Sequence, residues 1–269
     1  MEFLAYVFAA VIGISLGLIG AGGSILTVPV LVYLAHIEPV LATAYSLFVV
    51  GSTALVGGIQ NAFKKRVDFK TAFIFGIPSI LAVYTTRAFI MPRIPAQISL
   101  TETTDVSKGM LLLLIFAFLM VATSISMIRG NGKSKELETL EPEPKKHNYG
   151  LVLLEGIGVG VLTGLVGAGG GFLIIPALVL LAGLEMKLAV GTSLFIIAMK
   201  SLIGFTGDIQ SGSPIDWPFL LMFTGFSVGG IFIGSWLHRF VDGQRLKKGF
   251  GWFVLLMGLY MILKETMFS

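Results

Sequence analysis

The chain has 269 residues, 55% of them hydrophobic and only 13% charged, with a formal net charge of +4, 34 glycines and no cysteine; its mean hydropathy is +0.91. A soluble domain carries about a quarter charged residues, so this chain cannot cover a water-facing surface and belongs in a bilayer, where the distribution of Lys and Arg between the two sides matters more than their sum. The absence of cysteine excludes a disulfide scaffold, a thiolate metal site and a Cys nucleophile, and His36, His147 and His238 stand in or beside predicted loops, so no metal or other cofactor is expected.

A spanning helix needs about 20 apolar residues. In chain order the apolar segments are Glu2–Ile19, Ser24–Ala35, Pro39–Phe63, Phe69–Ile90 and Lys108–Ile128. The polar stretch Arg129–Asn148 follows, with charges of both signs and two Glu-Pro pairs, and reads as a solvated linker. Beyond it lie Tyr149–Val166, Gly171–Ala182, Lys187–Thr206, Trp217–Leu237 and Gly249–Leu263. Glu2 stands where a secretory signal carries basic residues and no small-residue cleavage pattern follows, so the first segment is expected to be retained.

Gly17-Leu-Ile-Gly-Ala-Gly-Gly-Ser-Ile-Leu-Thr-Val-Pro29 matches Gly164-Leu-Val-Gly-Ala-Gly-Gly-Gly-Phe-Leu-Ile-Ile-Pro176 at an offset of 147, with eight of thirteen positions identical. The register continues through Glu38/Glu185, Ala42/Ala189 and Ser46-Leu47-Phe48 against Ser193-Leu194-Phe195; one residue later in register, Val67-Asp68-Phe69 answers Ile215-Asp216-Trp217. The chain is a duplicated membrane protein: a first repeat over 1–129, a cytoplasmic linker over 130–147 and a second repeat over 148–269.

If Glu2–Ala35 enters and returns to one side and the next three segments each cross, the second repeat is inverted relative to the first. With the N-terminus outside, fourteen of the 19 Lys and Arg fall inside, four fall at or near the outside, and Lys200 stays in the membrane. A single broken span over Glu2–Ala35 would make the repeats parallel and strand the Arg239–Lys248 cluster opposite Lys64–Lys70, so the positive-inside rule favours inversion. The expected fold is all-α: a polytopic membrane protein of two inverted-topology repeats, each a glycine-interrupted helical hairpin plus three spanning helices. Both termini are expected outside.

GxxGAGG has the glycines of a dinucleotide fingerprint, but a membrane helix precedes it and no βαβ unit follows; it is no Walker A loop either, because no Lys-Ser/Thr follows the glycines. Close helix packing accounts for a lone small-residue pattern, yet it does not require the same pattern once in each half. A broken helix does. Unwound backbone at membrane depth is tolerated only where it is buried in protein or lines a wet cavity, and paired interruptions of this kind mark substrate sites in inverted-repeat transporters. Helices restarting at Ser24 and Gly171 would aim free N–H groups at an anion.

The candidate substrate-binding residues are therefore Gly20, Ala21, Gly22, Gly23, Ser24 and Ser46 in the first half, and Gly167, Ala168, Gly169, Gly170, Gly171, Thr192, Ser193 and Lys200 in the second. Thr27 and Thr43 are further hydroxyl donors; for each hydroxyl the alternative is a bond to its own helix carbonyl. Lys200 lies in an apolar run, where a charge marks function unless the side chain snorkels to the interface. Arg87 is a candidate second counter-charge near a helix end, Glu155 a proton site or a snorkelling carboxylate, Gln60 and Asn61 interfacial, and Asp68 and Asp216 helix caps.

The doubled GLxGAGGxxLxxP, the A-x-x-x-S-L-F that follows it, Lys200-Ser-Leu-Ile-Gly-Phe205 and the paired (Val/Ile)-Asp-(Phe/Trp) together resemble the TauE/SafE family of sulfite and organosulfonate exporters. The likeness covers both halves. It implies a multi-pass bacterial or archaeal inner-membrane protein exporting a small sulfur-containing or other organic anion, coupled to the proton gradient, with the two glycine motifs as the site. Without cysteine, no thiol-based handling of a sulfur compound applies. The expected partners are the anion and membrane lipid, not nucleic acid, and the sequence leaves a homo-oligomer open. An anion channel is the alternative; an intramembrane enzyme lacks a His-Asp/Glu constellation at helical spacing inside a segment.

Overall fold

The computed structural model describes residues 2–101, 104–129, 149–180, 182–237 and 243–267; the predicted linker lies outside them. The first half supplies α1 (Glu2–Ile19), a 3₁₀ turn (Ala21–Leu26), α2 (Thr27–Tyr33), α3 (Pro39–Phe63), α4 (Phe69–Thr85) and α5 (Lys108–Arg129). The second supplies α6 (Tyr149–Val166), α7 (Gly171–Leu180), α8 (Met186–Gln210), α9 (Trp217–Leu237) and α10 (Gly243–Met267). Helix α4 continues through a π-helical turn, Thr86–Ile90, into a closing turn, Met91–Arg93. Six of the described helices are long and apolar enough to cross a bilayer, and their outer faces carry large exposed apolar side chains such as Phe73, Leu81, Phe118, Phe232 and Leu256. The protein is a polytopic all-α membrane protein. A small antiparallel hairpin, β1 (Gln97–Thr101) with β2 (Thr104–Ser107), links α4 to α5, in a stretch without an apolar segment.

The five labelled helices of one half correspond in order to the five of the other, and their contacts are those produced by exchanging the halves: α1 packs on α9, and α6 on α4. Small residues permit these approaches. Gly13 and Gly17 of α1 lie against Ser227–Gly230 and Ile231–Ser235 of α9, while Gly156, Gly160 and Gly164 of α6 lie against Phe75, Ser79 and Thr86 of α4. Both pairs run parallel. The two pairs of equivalent helices meet each other and run antiparallel: Gly51 of α3 faces Leu202 of α8 and Gly58 faces Phe195, and Gly251 and Gly258 of α10 face Met127 and Met120 of α5.

Helix α3 runs parallel to α9, since Thr53 bonds Ser227 and Gly57 meets Ile231. Both α1 and α3 therefore start on the same side, and α2 brings the chain back between them. Tyr33, the last residue of α2, donates to Glu265 near the end of α10 at 2.9 Å. The central pair α3 and α8 is the most enclosed of the six, each 67% buried against 22% for α10.

Candidate functional site

The two chain breaks share one backbone device. Gly20 has φ 76° and Gly167 φ 75°, a left-handed conformation open to glycine at little cost. Each break packs on the opposite half: a methyl built on Gly20 would stand 2.7 Å from Val190 Cγ1, and one on Gly167 2.3 Å from Thr43 O. The breaks then diverge. In the second, Gly169 and Gly170 also have φ 66°, and α7 restarts at Gly171 as expected, with Gly170 O accepting from Leu173 N–H at 3.0 Å. In the first, Ala21–Leu26 winds as a 3₁₀ turn and the α-helix resumes at Thr27, not Ser24. Gly23 presses on α1 here, its position for a methyl lying 2.3 Å from Ser15 Oγ and 2.6 Å from Leu16 N, which keeps the chain in the tighter winding. Ala168 and Ser24 are fully buried, Gly22 has only Ile19 close by at 3.2 Å, and the side chain of Ala21 lies outside the described residues.

Lys200 does not snorkel. Its helix runs on to Gln210, its side chain is 0% exposed, and its Nζ donates to Thr163 Oγ1 at 3.1 Å. Among the described residues that hydroxyl is its one hydrogen-bond partner, and no carboxylate pairs with it there. Nζ also lies 3.0 Å from the position a methyl on Gly170 would take, so the ammonium sits directly on the second break. At the equivalent place in the first half, Thr53 bonds Ser227 at 2.9 Å. The register equivalents thus differ: a buried cation on α8, and on α3 a hydroxyl bonded to α9.

The remaining candidates separate by their bonds. Thr43 donates to Val40 O at 2.6 Å and Ser193 to Val190 O at 2.8 Å, the local alternative. Ser46 Oγ and Thr27 Oγ1 are buried without a hydrogen-bond partner among the described residues. Thr192 Oγ1 accepts from Asp68 N–H at 2.9 Å, and Tyr45, its equivalent, has its hydroxyl accept from Asp216 N–H at 2.6 Å. Asp68 and Asp216 are caps: Asp68 accepts from Lys70 N–H at 3.0 Å and Asp216 from Phe219 N–H at 3.2 Å. Glu155 is half-buried on α6 with one oxygen unpartnered.

A cavity of about 170 Å³ opens at the first break. Gly17, Gly20, Asn61, Val190 and Ser235 line its depth, and Lys64, Arg66 and Lys187 stand around it. Gln60 and Asn61, read from the sequence as interfacial, both line this space. At the other end of α8, sequence reasoning misses Asp208. Arg87 Nη1 donates to Asp208 Oδ1 at 3.2 Å and to Thr43 Oγ1 at 3.0 Å, with Arg87 0% exposed. It is the one salt bridge among the described residues. The apolar segment read from the sequence stops at Thr206; one further turn brings an acid into the membrane, the signal that points to Asp208. Along α8 the features follow in order: Lys187, Val190 and Leu194 at the cavity, Lys200 in the middle, Asp208 at the far end.

A family model described as sulfite exporter TauE/SafE matches residues 5–261 of this chain. The probable membrane transporter protein YunE of Bacillus subtilis is 27% identical over 285 residues, covering 99% of this chain and all of that protein. A probable membrane transporter protein of Xylella fastidiosa is 30% identical over 254 residues, 93% of this chain and 91% of its own. The probable membrane transporter protein MJ0441 of Methanocaldococcus jannaschii is 35% identical over 117 residues, 41% of this chain and 43% of its own. No solved structure matches the chain.

Proposed function

Because the chain belongs to the sulfite exporter TauE/SafE family, we propose that it is a secondary transporter exporting a small anion of the sulfite or organosulfonate class by alternating access. The observation that carries this reading is Lys200: a fully buried ammonium, held by one hydroxyl against the second glycine break. A charge in this position is costly unless it is paired, and an anion resting between Nζ and the unwound backbone of Ala168–Gly171 supplies the pair. Ser46 and Thr27 offer further hydroxyls. The cavity at the first break, with Lys64, Arg66 and Lys187 about it, attracts and concentrates anions on their way to Lys200.

The antiparallel pairs α3/α8 and α5/α10 support the inverted arrangement, since equivalent helices related by an axis along the membrane normal would run parallel. Counting basic residues then puts the cavity end on the cytoplasmic face of a bacterial or archaeal inner membrane and both termini outside. Proton coupling follows from the family resemblance. Moving parts are cross-half units, because α1 packs on α9 and α4 on α6.

Transport of sulfite by protein reconstituted in liposomes tests the reading. Lys200→Ala is expected to lower flux at least tenfold, with Lys200→Arg retaining part of it; wild-type flux in Lys200→Ala overturns the role of Lys200. An anion channel would give large unitary currents in planar bilayers, whereas a transporter gives slow coupled flux.

A further inference from the structure

The two ends of the central helix pair are equivalent in sequence register but not in state. At the 147 offset Asn61 answers Asp208 and Val190 answers Thr43; at the 148 offset that holds for α4 and α9, Ser235 answers Arg87. The packing agrees: Gly57 meets Ile231 and Leu194, and Gly204 meets their equivalents Val83 and Leu47. At one end Asn61, Val190 and Ser235 line open space. At the other, Arg87 and Asp208 close on each other, and Tyr84 donates to Gln210 at 2.5 Å beside them.

That closure uses only part of each group. Among the described residues Asp208 engages through Oδ1 alone, and Asp208 Oδ2 and Arg87 Nε and Nη2 are buried without a hydrogen-bond partner. Two adjacent guanidinium donors left free are the fork that binds a planar or pyramidal oxyanion through two oxygens. Nearby, Lys108 Nζ is taken up by Met91 O, and Glu38 by Leu41 N–H at 3.0 Å. We propose that the Arg87 guanidinium, held in place by Thr43, is a second oxyanion site at the end opposite the cavity, and that Asp208 neutralises it at Nη1 in this conformation. When that end opens and the cavity end closes, the carboxylate withdraws and the transported oxyanion takes the guanidinium; Asp208, which the guanidinium faces, is eight residues, or about 12 Å of helix, from Lys200. The ligand of this site rests on the transporter reading; the closure does not.

The chain has no cysteine, so single Cys variants give unambiguous labels. Leu194→Cys lines the cavity at a residue 3% exposed, and Leu47→Cys is its fully enclosed equivalent at 0%. In vesicles treated with a membrane-impermeant maleimide, Leu194→Cys is expected to label from the cavity face and Leu47→Cys to be protected. Adding Asp208→Asn raises Leu47→Cys labelling from the opposite face at least tenfold and lowers that of Leu194→Cys; the swap R87D/D208R restores protection. Thr43→Val, which strands no charge, raises Leu47→Cys labelling a few-fold. Unchanged labelling in both Asp208→Asn and Thr43→Val overturns the closure. In equilibrium binding with purified protein, Asp208→Asn is expected to take up one more equivalent of sulfite, methanesulfonate or acetate, lost again in R87Q/D208N. No Arg87-dependent equivalent for any of the three overturns the anion site. Absence of sulfite flux from the wild-type protein would overturn the transport reading yet leave the labelling result standing.

Discussion

Lys200 sets stability against activity. A buried ammonium without a counter-charge opposes folding, so Lys200→Met is expected to raise the thermal midpoint by several degrees while transport collapses; a fall in both would make Lys200 a structural residue. Gly170 depends on the same contact. A methyl there meets Thr163 Cγ2 at 2.0 Å and Lys200 Nζ at 3.0 Å, at a φ of 66°, so Gly170→Ala is expected to cut sulfite flux far more than Gly22→Ala, whose nearest neighbour is Ile19 at 3.2 Å. Lys200 is legible in the sequence because packing alone seldom puts an isolated charge inside an apolar run. Asp208 is not, because polar residues near a helix end resemble the interface until the partner, 121 positions away, is known.

Among the elements, the legible ones are those whose ends are chemically marked. Pro39 opens α3 behind the Glu38 cap and Asp68 opens α4, and both starts fall where the sequence puts them. The winding of Ala21–Leu26 is hidden, since it depends on how closely Gly23 approaches α1, and so is the π turn at Thr86–Ile90, which widens α4 by a residue where Arg87 turns inward. The strands of Gln97–Ser107 lack any apolar alternation strong enough to announce them. Helix pairing offers a sharp test within α6: Gly160 sits 2.6 Å, measured from a built methyl, from Ser79 O, whereas Gly158 has nothing within 4 Å. Gly160→Leu is expected to abolish the monodisperse peak in size-exclusion chromatography and Gly158→Leu to leave it intact; equal tolerance would mean that α6 does not pack on α4 through this stripe.

For the whole molecule, the repeat is visible in the sequence because thirteen positions around each break align without a gap; the cross-half pairing is not, because which small-residue face meets which helix is a tertiary choice. Inversion makes a direct prediction. Lys64 and Ser211 are equivalent and both exposed, so Lys64→Cys and Ser211→Cys are expected to react with an impermeant maleimide from opposite faces of the membrane, and reaction from one face would make the repeats parallel. The pairing of α1 with α9 and of α6 with α4 has a further consequence for how such a chain arises. A single half, made alone, would leave the glycine face of its first helix against lipid and its fourth helix without the neighbour it fits. In an inverted arrangement a second copy, inserted the other way up, supplies both. A fused chain so arranged would hold in fixed proportion and opposite orientation what two separate copies would have to assemble by inserting one product into the membrane in both directions.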